Sequence, residues 1–222
     1  MRKFTFRGHN FYFTDTPAID ALINEIFSDN YHVLQSGLQF VAGDIIIDLG
    51  ANEGVFSIMM AKLFPAADIY SVEAISSTYK TLLSNIASNH CSNIHPFNCG
   101  VGGETGKREF VVCNDFSGGS SSVMRHTFSK LHHHKEMVNI YSMQDIFNKL
   151  NIDYCKLLKI DIEGMEHETI LNCENLMRIE NLVGEFHINS NLQSQGYSTA
   201  QLVTYIRERT NLIHYETCQM AE

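Results

Sequence analysis

The chain has 222 residues, 16 Lys and Arg against 25 Asp and Glu, a formal net charge of −9 and 44% hydrophobic residues. This length fits one domain able to bury roughly 70% of its unfolded surface without staples, and the ordinary composition excludes a disordered or low-complexity class. The acidic balance argues against a general nucleic-acid binder, which needs clustered Lys and Arg.

Taken in chain order, residues 1–44 carry aromatic strand-like pieces (Phe4, Phe6, Phe11, Tyr12, Phe13) and a helical stretch from Thr16 to Phe27. Thr16 reads as its N-cap and Pro17 as its first helical position. Phe11 and Phe13 read as satellite core. A β-branched run, Ile45 to Leu49, then predicts a strand. The apolar stripe Val55, Ile58, Met59, Leu63 predicts a helix, Ile69 to Glu73 a second strand, and Tyr79, Leu82, Leu83, Ile86 a second helix. Ile94 to Val101 is a further strand candidate. Residues 102–142 break the alternation with two strand candidates, Arg108 to Val112 and Val138 to Tyr141, around a Gly/Ser loop and a basic run. The alternation resumes with a strand at Lys156 to Asp161, a helix at about 166–177, a strand at Leu182 to Phe186, a helix at about 199–209 and a strand at Leu212 to Tyr215. Such alternation implies right-handed βαβ units and a mostly parallel sheet covered on both faces. The N-terminal 1–44 is expected to pack as an extension on a domain spanning 45–222, within one structural unit.

No run of about 18 apolar residues suggests a membrane span, and MRKFTFRGHNFYF lacks the apolar stretch of a secretory signal. Neither nucleic acid nor membrane is expected as a partner, and the expected compartment is the cytoplasm. The six cysteines (91, 99, 113, 155, 173, 218) form no C-x-x-C and no zinc-finger spacing, so they read as reduced, mostly buried thiols.

The loop Asp48-Leu49-Gly50-Ala51-Asn52-Glu53-Gly54 follows the first parallel strand and opens a helix, the context in which a glycine loop has meaning. Gly50 and Gly54 allow a sharp turn and close approach of the backbone, and the helix start offers free N–H groups. Asn52 stands where a strict dinucleotide fingerprint has glycine. Asp48 and Glu53 add negative charge, poor for a pyrophosphate but suited to a ligand with a cation and an amino group. The alternative is a tight turn without ligand. Glu73 ends the second strand, where a carboxylate accepts from two ribose hydroxyls.

These stretches, with Val72-Glu73-Ala74, Leu157-Leu158-Lys159-Ile160-Asp161-Ile162-Glu163-Gly164-Met165-Glu166 and Gly184-Glu185-Phe186-His187, resemble the FkbM-type methyltransferases. The resemblance covers about 40–190 and is most specific in K-I-D-x-E-G-x-E. It implies a three-layer, Rossmann-like class I fold, S-adenosylmethionine as cofactor, and methylation of hydroxyls on sugars, polyketides or other small molecules. By position it implies that Asp48, Gly50, Ala51, Asn52, Glu53 and Gly54 form the loop under the methionine part. Glu73, with Ala74 beside it, would hold the ribose, and Asn98 and Cys99 would lie near adenine. Ser121 belongs to a Gly/Ser stretch the family often has before the fourth strand. A class I sheet ends in a hairpin, whereas here a single strand follows the last helix, so the sheet looks one strand short. That leaves an edge compatible with a homodimer.

Transfer to an alcohol also requires removal of a proton. Asp161, at the end of the fourth strand, is the first candidate for base, substrate anchor or cofactor contact; otherwise it caps the following helix. If the strand persists, Glu163 points to the same side. His187 is the second candidate base, because neutral imidazole accepts a proton near pH 7; Glu163 and Glu185 would orient either one. Asp161, Glu163 and His187 are also donor types for a divalent cation, but nothing in the sequence requires one and none is expected. His132-His133-His134, among Arg125, Lys130 and Lys135, reads as a solvated loop. The same loop is the place to look for contacts to an anionic acceptor. Tyr31 is placed by position alone over the methionine side. Two other classes stay open here: an NAD-dependent oxidoreductase, which Glu73 would suit, and a non-catalytic module with a methyltransferase fold.

Overall fold

Each βαβ unit read from the sequence forms, because its apolar run is covered by helices on both faces. The computed structural model of the protein describes residues 1–28, 32–113 and 133–220. Two N-terminal strands, β1 (Arg2–Phe6) and β2 (His9–Phe13), form a hairpin and are followed by α1 (Ile19–Ile26) and α2 (His32–Gln35). Then come β3 (Ile45–Leu49), α3 (Val55–Leu63), β4 (Asp68–Glu73), α4 (Ser76–Asn89) and β5 (Ile94–Asn98). A β insertion follows: β6 (Gly100–Gly102), β7 (Gly106–Cys113) and β8 (His133–Ser142). The second half runs α5 (Met143–Leu150), β9 (Cys155–Ile160), α6 (Glu166–Leu171), β10 (Ile179–Ile188), α7 (Ser190–Ser194), α8 (Thr199–Arg207) and β11 (Asn211–Gln219).

The main sheet has the order β11-β10-β9-β3-β4-β5 with every pairing parallel. The chain winds outward from β3 in one direction, then starts again at β9 in the other. The switch between β3 and β9 opens a crevice at the carboxyl ends of those strands, where ligands of doubly wound sheets bind. Among the described residues no antiparallel strand joins this sheet, and β11 stands at its edge. One core lies on the face covered by α5, α6 and α8, including Phe147, Ile170, Leu202 and Ile206. A second lies on the face covered by α3 and the N-terminal segment, including Phe11, Phe13, Ile19, Ile58 and Met59. Five of the six cysteines are buried, and Cys218 is half-buried.

Three local expectations are corrected. The strand read at Ile94 to Val101 divides: β5 stays in the main sheet, while β6 pairs with β8 in a separate sheet of order β6-β8-β7. Thr16 does not cap α1, whose N-cap is Ala18 without a side-chain bond. The Thr16 hydroxyl instead donates to Glu53 Oε2 at 2.7 Å, since a buried carboxylate gains more from a donor than an exposed helix end does. Residues 133–135 begin β8 rather than a loop, and Lys135 pairs with Glu109 at 2.6 Å.

The N-terminal segment is anchored by buried asparagines of α4. Asn89 accepts from Tyr12 N (3.0 Å) and donates to Tyr12 O (2.6 Å), as a neighbouring strand would. Asn85 accepts from Thr14 N at 2.8 Å and donates to Glu53 O at 2.8 Å, tying the segment to the glycine loop.

Candidate active site

The glycine loop leaves β3 through a left-handed residue. Gly50 has φ 78°, and both its N–H and that of Ala51 donate to Val72 O, at 3.0 and 2.9 Å. A β-carbon on Gly50 would lie 1.7 Å from the carbonyl oxygen of Asp161. Gly54, at φ 88°, opens α3, and a β-carbon there would meet Leu82 Cδ1 at 2.4 Å. The close approaches these glycines permit are therefore to other parts of the chain.

Below the loop, Asp48 is fully buried. Its Oδ2 accepts from Ser57 Oγ at 2.6 Å, and Ser71 lies 2.6 Å further along the same chain of hydroxyls. Lys159 of β9 reaches across the switch point: its Nζ donates to Gly50 O at 2.8 Å and stands 3.4 Å from Asp48 Oδ1 and 3.5 Å from Asp161 Oδ2. Burial pushes the Asp48 carboxyl upward, against the opposing effects of Lys159 and Ser57.

Glu73 closes the crevice on the β4 side. Its Oε2 accepts from Asn52 N at 2.9 Å and its Oε1 from Ile75 N at 2.8 Å. Burial pushes its pKa up to about 7, although the two backbone N–H groups oppose the rise. Each oxygen retains a lone pair. Asn52 is left-handed (φ 50°), and its buried Oδ1 has no hydrogen-bond partner among the described residues. The cavity beside these groups is lined by Gly50, Asn52, Glu73, Ala74, Cys99, Val101, Phe110, Asp161, Glu163 and Met165, among others. An adenosyl amino acid fits these donors and walls: the Glu73 carboxylate matches a ribose diol, the orphaned Asn52 amide oxygen matches an ammonium group, and Val101, Phe110 and Met165 offer apolar walls for a base.

On the β9 and β10 side the chain turns at once. β9 ends at Ile160, and Glu163 (φ 53°) and Gly164 (φ 101°) are left-handed, so 161 and 163 are not on a continuing strand. Nor does Asp161 cap α6, whose N-cap is Met165. The turn is held by Glu166, fully buried, which accepts from Ile162 N (2.9 Å) and Gly164 N and meets His187 Nδ1 at 3.0 Å. The pairing reverses the expectation for His187. Burial alone would lower its pKa, but the bond and charge of Glu166, with Glu163 and Asp161 nearby, push it up to about 10. Burial likewise favours neutral Glu166, and the His187 contact outweighs it, leaving its pKa lowered. At neutral pH His187 is therefore an imidazolium held by a carboxylate, a poor proton acceptor. Its Nε2 faces Glu163 Oε2 and Glu185 Oε1, each at 3.6 Å.

A second cavity, of about 450 Å³, lies between the N-terminal helices and the β9–β10–β11 edge. Its lining includes Glu25, Ile26, Val33, Lys159, Asp161, Glu185, His214 and Glu216. Among the described residues, Asp161 alone lines both cavities.

The structure thus brings Gly50, Asn52, Glu73, Ala74, Cys99, Asp161 and Glu163 to one cavity. Asp48, Ala51, Glu53, Gly54 and Asn98 do not line it. Asp48 is enclosed with Ser57 and Lys159, Glu53 turns to Thr16, and Gly54 sits against Leu82. Asn98 Nδ2 donates to Glu73 O and Ala74 O, at 2.9 and 3.1 Å, joining the ends of β5 and β4. Ser121, Tyr31, Arg125 and Lys130 lie outside the described residues. The sequence reading assigned no part to Lys159 or Glu166. Both belong to the K-I-D-x-E-G-x-E stretch, the signal that contained them.

A doubly wound parallel sheet with a carboxylate at the end of β4 and an acid beside the switch point is the architecture in which Rossmann-like enzymes take adenosyl cofactors. A sequence model of the methyltransferase FkbM domain matches residues 48–213, and the chain belongs to this family of S-adenosylmethionine-dependent methyltransferases. It is 25% identical over 207 residues to "Methyltransferase 1" of Beauveria bassiana, covering 82% of each chain. It is 24% identical over 203 residues to "Methyltransferase sdnD" of Sordaria araneosa, covering 78% of this chain and 77% of the other. Among solved structures it is similar to Aeropyrum pernix fibrillarin with bound S-adenosyl-L-methionine, at 14% identity and a TM-score of 0.45, covering 93% of this chain and 71% of that one. No helix among the described residues is long and apolar enough to cross a membrane.

Proposed function

We propose that this methyltransferase acts on a hydroxyl group of a small, polyol- or sugar-like molecule seated in the second cavity. The observation that carries this reading is the position of Asp161, at the boundary of the two cavities. S-adenosylmethionine, when bound, supplies an activated methyl group. Glu73 and Asn52 fix its ribose and amino ends. Asp161 then stands where the acceptor oxygen approaches. The Asp161 carboxylate would take the hydroxyl proton as the acceptor oxygen is methylated. His187, already protonated by its pairing with Glu166, holds the turn that carries Asp161 and Glu163.

The second cavity favours a neutral or amine-bearing polyol over an anion. Glu25, Asp161, Glu185 and Glu216 line it, against Lys159 and His214. Carboxylates accept hydrogen bonds from hydroxyls and repel acidic groups. The test has two parts. Calorimetry with S-adenosylhomocysteine is expected to show saturable binding; none at millimolar ligand removes the enzyme reading. Incubation with the methyl donor and a panel of polyols, aminosugars, sugar phosphates and amines, followed by mass spectrometry, is expected to give O-methyl ethers of the uncharged and amino members. Methylation confined to nitrogen, or to the phosphorylated members, overturns the acceptor class.

A further inference from the structure

We propose that Asp161, Glu163 and Nε2 of His187 form a site for one divalent transition-metal ion at the boundary between the two cavities. One donor atom from each lies within 4.8 Å of the others. An ion with bonds of about 2.0–2.4 Å spans donors up to about 4–5 Å apart. The 3.6 Å between His187 Nε2 and Glu163 Oε2 is near the edge of a tetrahedron with such bonds, about 3.4 Å. A nitrogen donor beside carboxylates suits Mn²⁺, Co²⁺ or Zn²⁺ better than the all-oxygen preference of Mg²⁺ or Ca²⁺.

The independent observation lies behind the cluster. His187 is 4% exposed, and its inner nitrogen, Nδ1, meets Glu166 Oε1 at 3.0 Å. Glu166 is in turn fixed by the N–H groups of Ile162 and Gly164. A carboxylate behind an imidazole is the arrangement that orients a metal-binding histidine and sets which nitrogen faces outward. Here the outward nitrogen makes no hydrogen bond among the described residues and faces carboxylates 3.6 Å away on two sides. Metal binding replaces the Nε2 proton, which passes to solvent, and leaves the Nδ1–Glu166 bond in place. A second donor set, Glu185, His187 and Cys218, shares the same imidazole but not Asp161. The first set is preferred because it borders both cavities.

The role rests on the methyltransferase reading. An acceptor hydroxyl in an open coordination position would become more acidic, and its proton would still pass to Asp161, through the carboxylate oxygen that does not hold the ion. The test uses metal-stripped full-length protein titrated with Mn²⁺ alone, with free Mn²⁺ followed by electron paramagnetic resonance. One ion per chain is expected. Asp161→Asn and His187→Gln are expected to weaken binding at least tenfold, and Glu166→Gln by about 10–100-fold. Cys218→Ser and the remote Glu180→Gln are expected to retain it. Circular dichroism and S-adenosylhomocysteine binding on the same samples confirm that each variant is folded. Absence of stoichiometric Mn²⁺ binding, binding indifferent to Asp161→Asn and His187→Gln, or loss in Cys218→Ser with retention in Asp161→Asn overturns this site. Failure of S-adenosylhomocysteine to bind the wild-type protein removes the methyltransferase reading instead.

Discussion

The carbonyl oxygen of Asp161 occupies the place where a β-carbon on Gly50 would stand, 1.7 Å away. The first loop of one half of the sheet and the first turn of the other thus meet backbone to backbone. Gly50→Ala is expected to destabilise the protein by about 2–4 kcal/mol, combining overpacking with a left-handed alanine. In a chain of this size that corresponds to a fall of roughly 5–15 °C in Tm. Differential scanning calorimetry measures it; a fall under 2 °C would show that the Asp161 turn yields freely, contrary to this contact.

Lys159 links the same two segments from beneath, through Gly50 O and Asp48. Lys159→Met is expected to cost about 3–5 kcal/mol at pH 8, because it leaves the buried Asp48 carboxylate uncompensated. The penalty should shrink as pH falls, since burial already pushes the Asp48 carboxyl upward and a proton can take over from the missing cation. Urea unfolding at two pH values tests this, and an equal loss at both would contradict it.

Cofactor affinity should depend on Glu73. With its pKa raised to about 7 in the empty protein, the carboxylate must be ionised to accept from both ribose hydroxyls. Binding of S-adenosylhomocysteine is therefore expected to strengthen as pH rises from 6 to 8, approaching a plateau above about 7. In the empty protein the sign for stability is the reverse. A carboxyl whose folded pKa is raised favours the native state while protonated, and that contribution is lost as pH rises from the unfolded value of 4.5 toward 7. Glu73→Ala should weaken binding about 10–100-fold and flatten the pH profile; a mutant with an unchanged profile would transfer the titration to another group.

Asp161→Asn keeps the shape of the turn and removes the proton acceptor. It is expected to lower kcat by at least ~100-fold, in the range typical of a lost general base, with S-adenosylhomocysteine affinity changed less than threefold. Equal losses in turnover and affinity would make Asp161 a cofactor ligand instead.

Glu25, on α1, lines the second cavity, and partial desolvation there, with the charge of Asp161, raises its pKa. Glu25→Gln is expected to raise KM for a polyol acceptor by roughly 10–100-fold, the loss of about one hydrogen bond to a charged group, at unchanged cofactor affinity. Steady-state kinetics separate the two. An unchanged KM would remove the N-terminal helix from acceptor recognition.

By itself the sequence determined what is local. The run Ile45 to Leu49 could only be a doubly covered strand, the two glycines after it a left-handed turn, and Glu73 a strand-end carboxylate some two dozen residues on; each signal lies within a few neighbouring residues. What tertiary structure decided is where the charged side chains point. Asp48 and Glu53 flank the loop in sequence, yet one meets Ser57 and Lys159 beneath it and the other meets Thr16 from the N-terminal segment. His187 looked like a neutral base and became an imidazolium, because the β9–β10 pairing and the tight turn after Ile160 place the buried Glu166 against its ring. A charge's partner depends on strand register and on turns closed by residues far along the chain. Buried electrostatics are set by those partners, and no pattern along the chain encodes their distances.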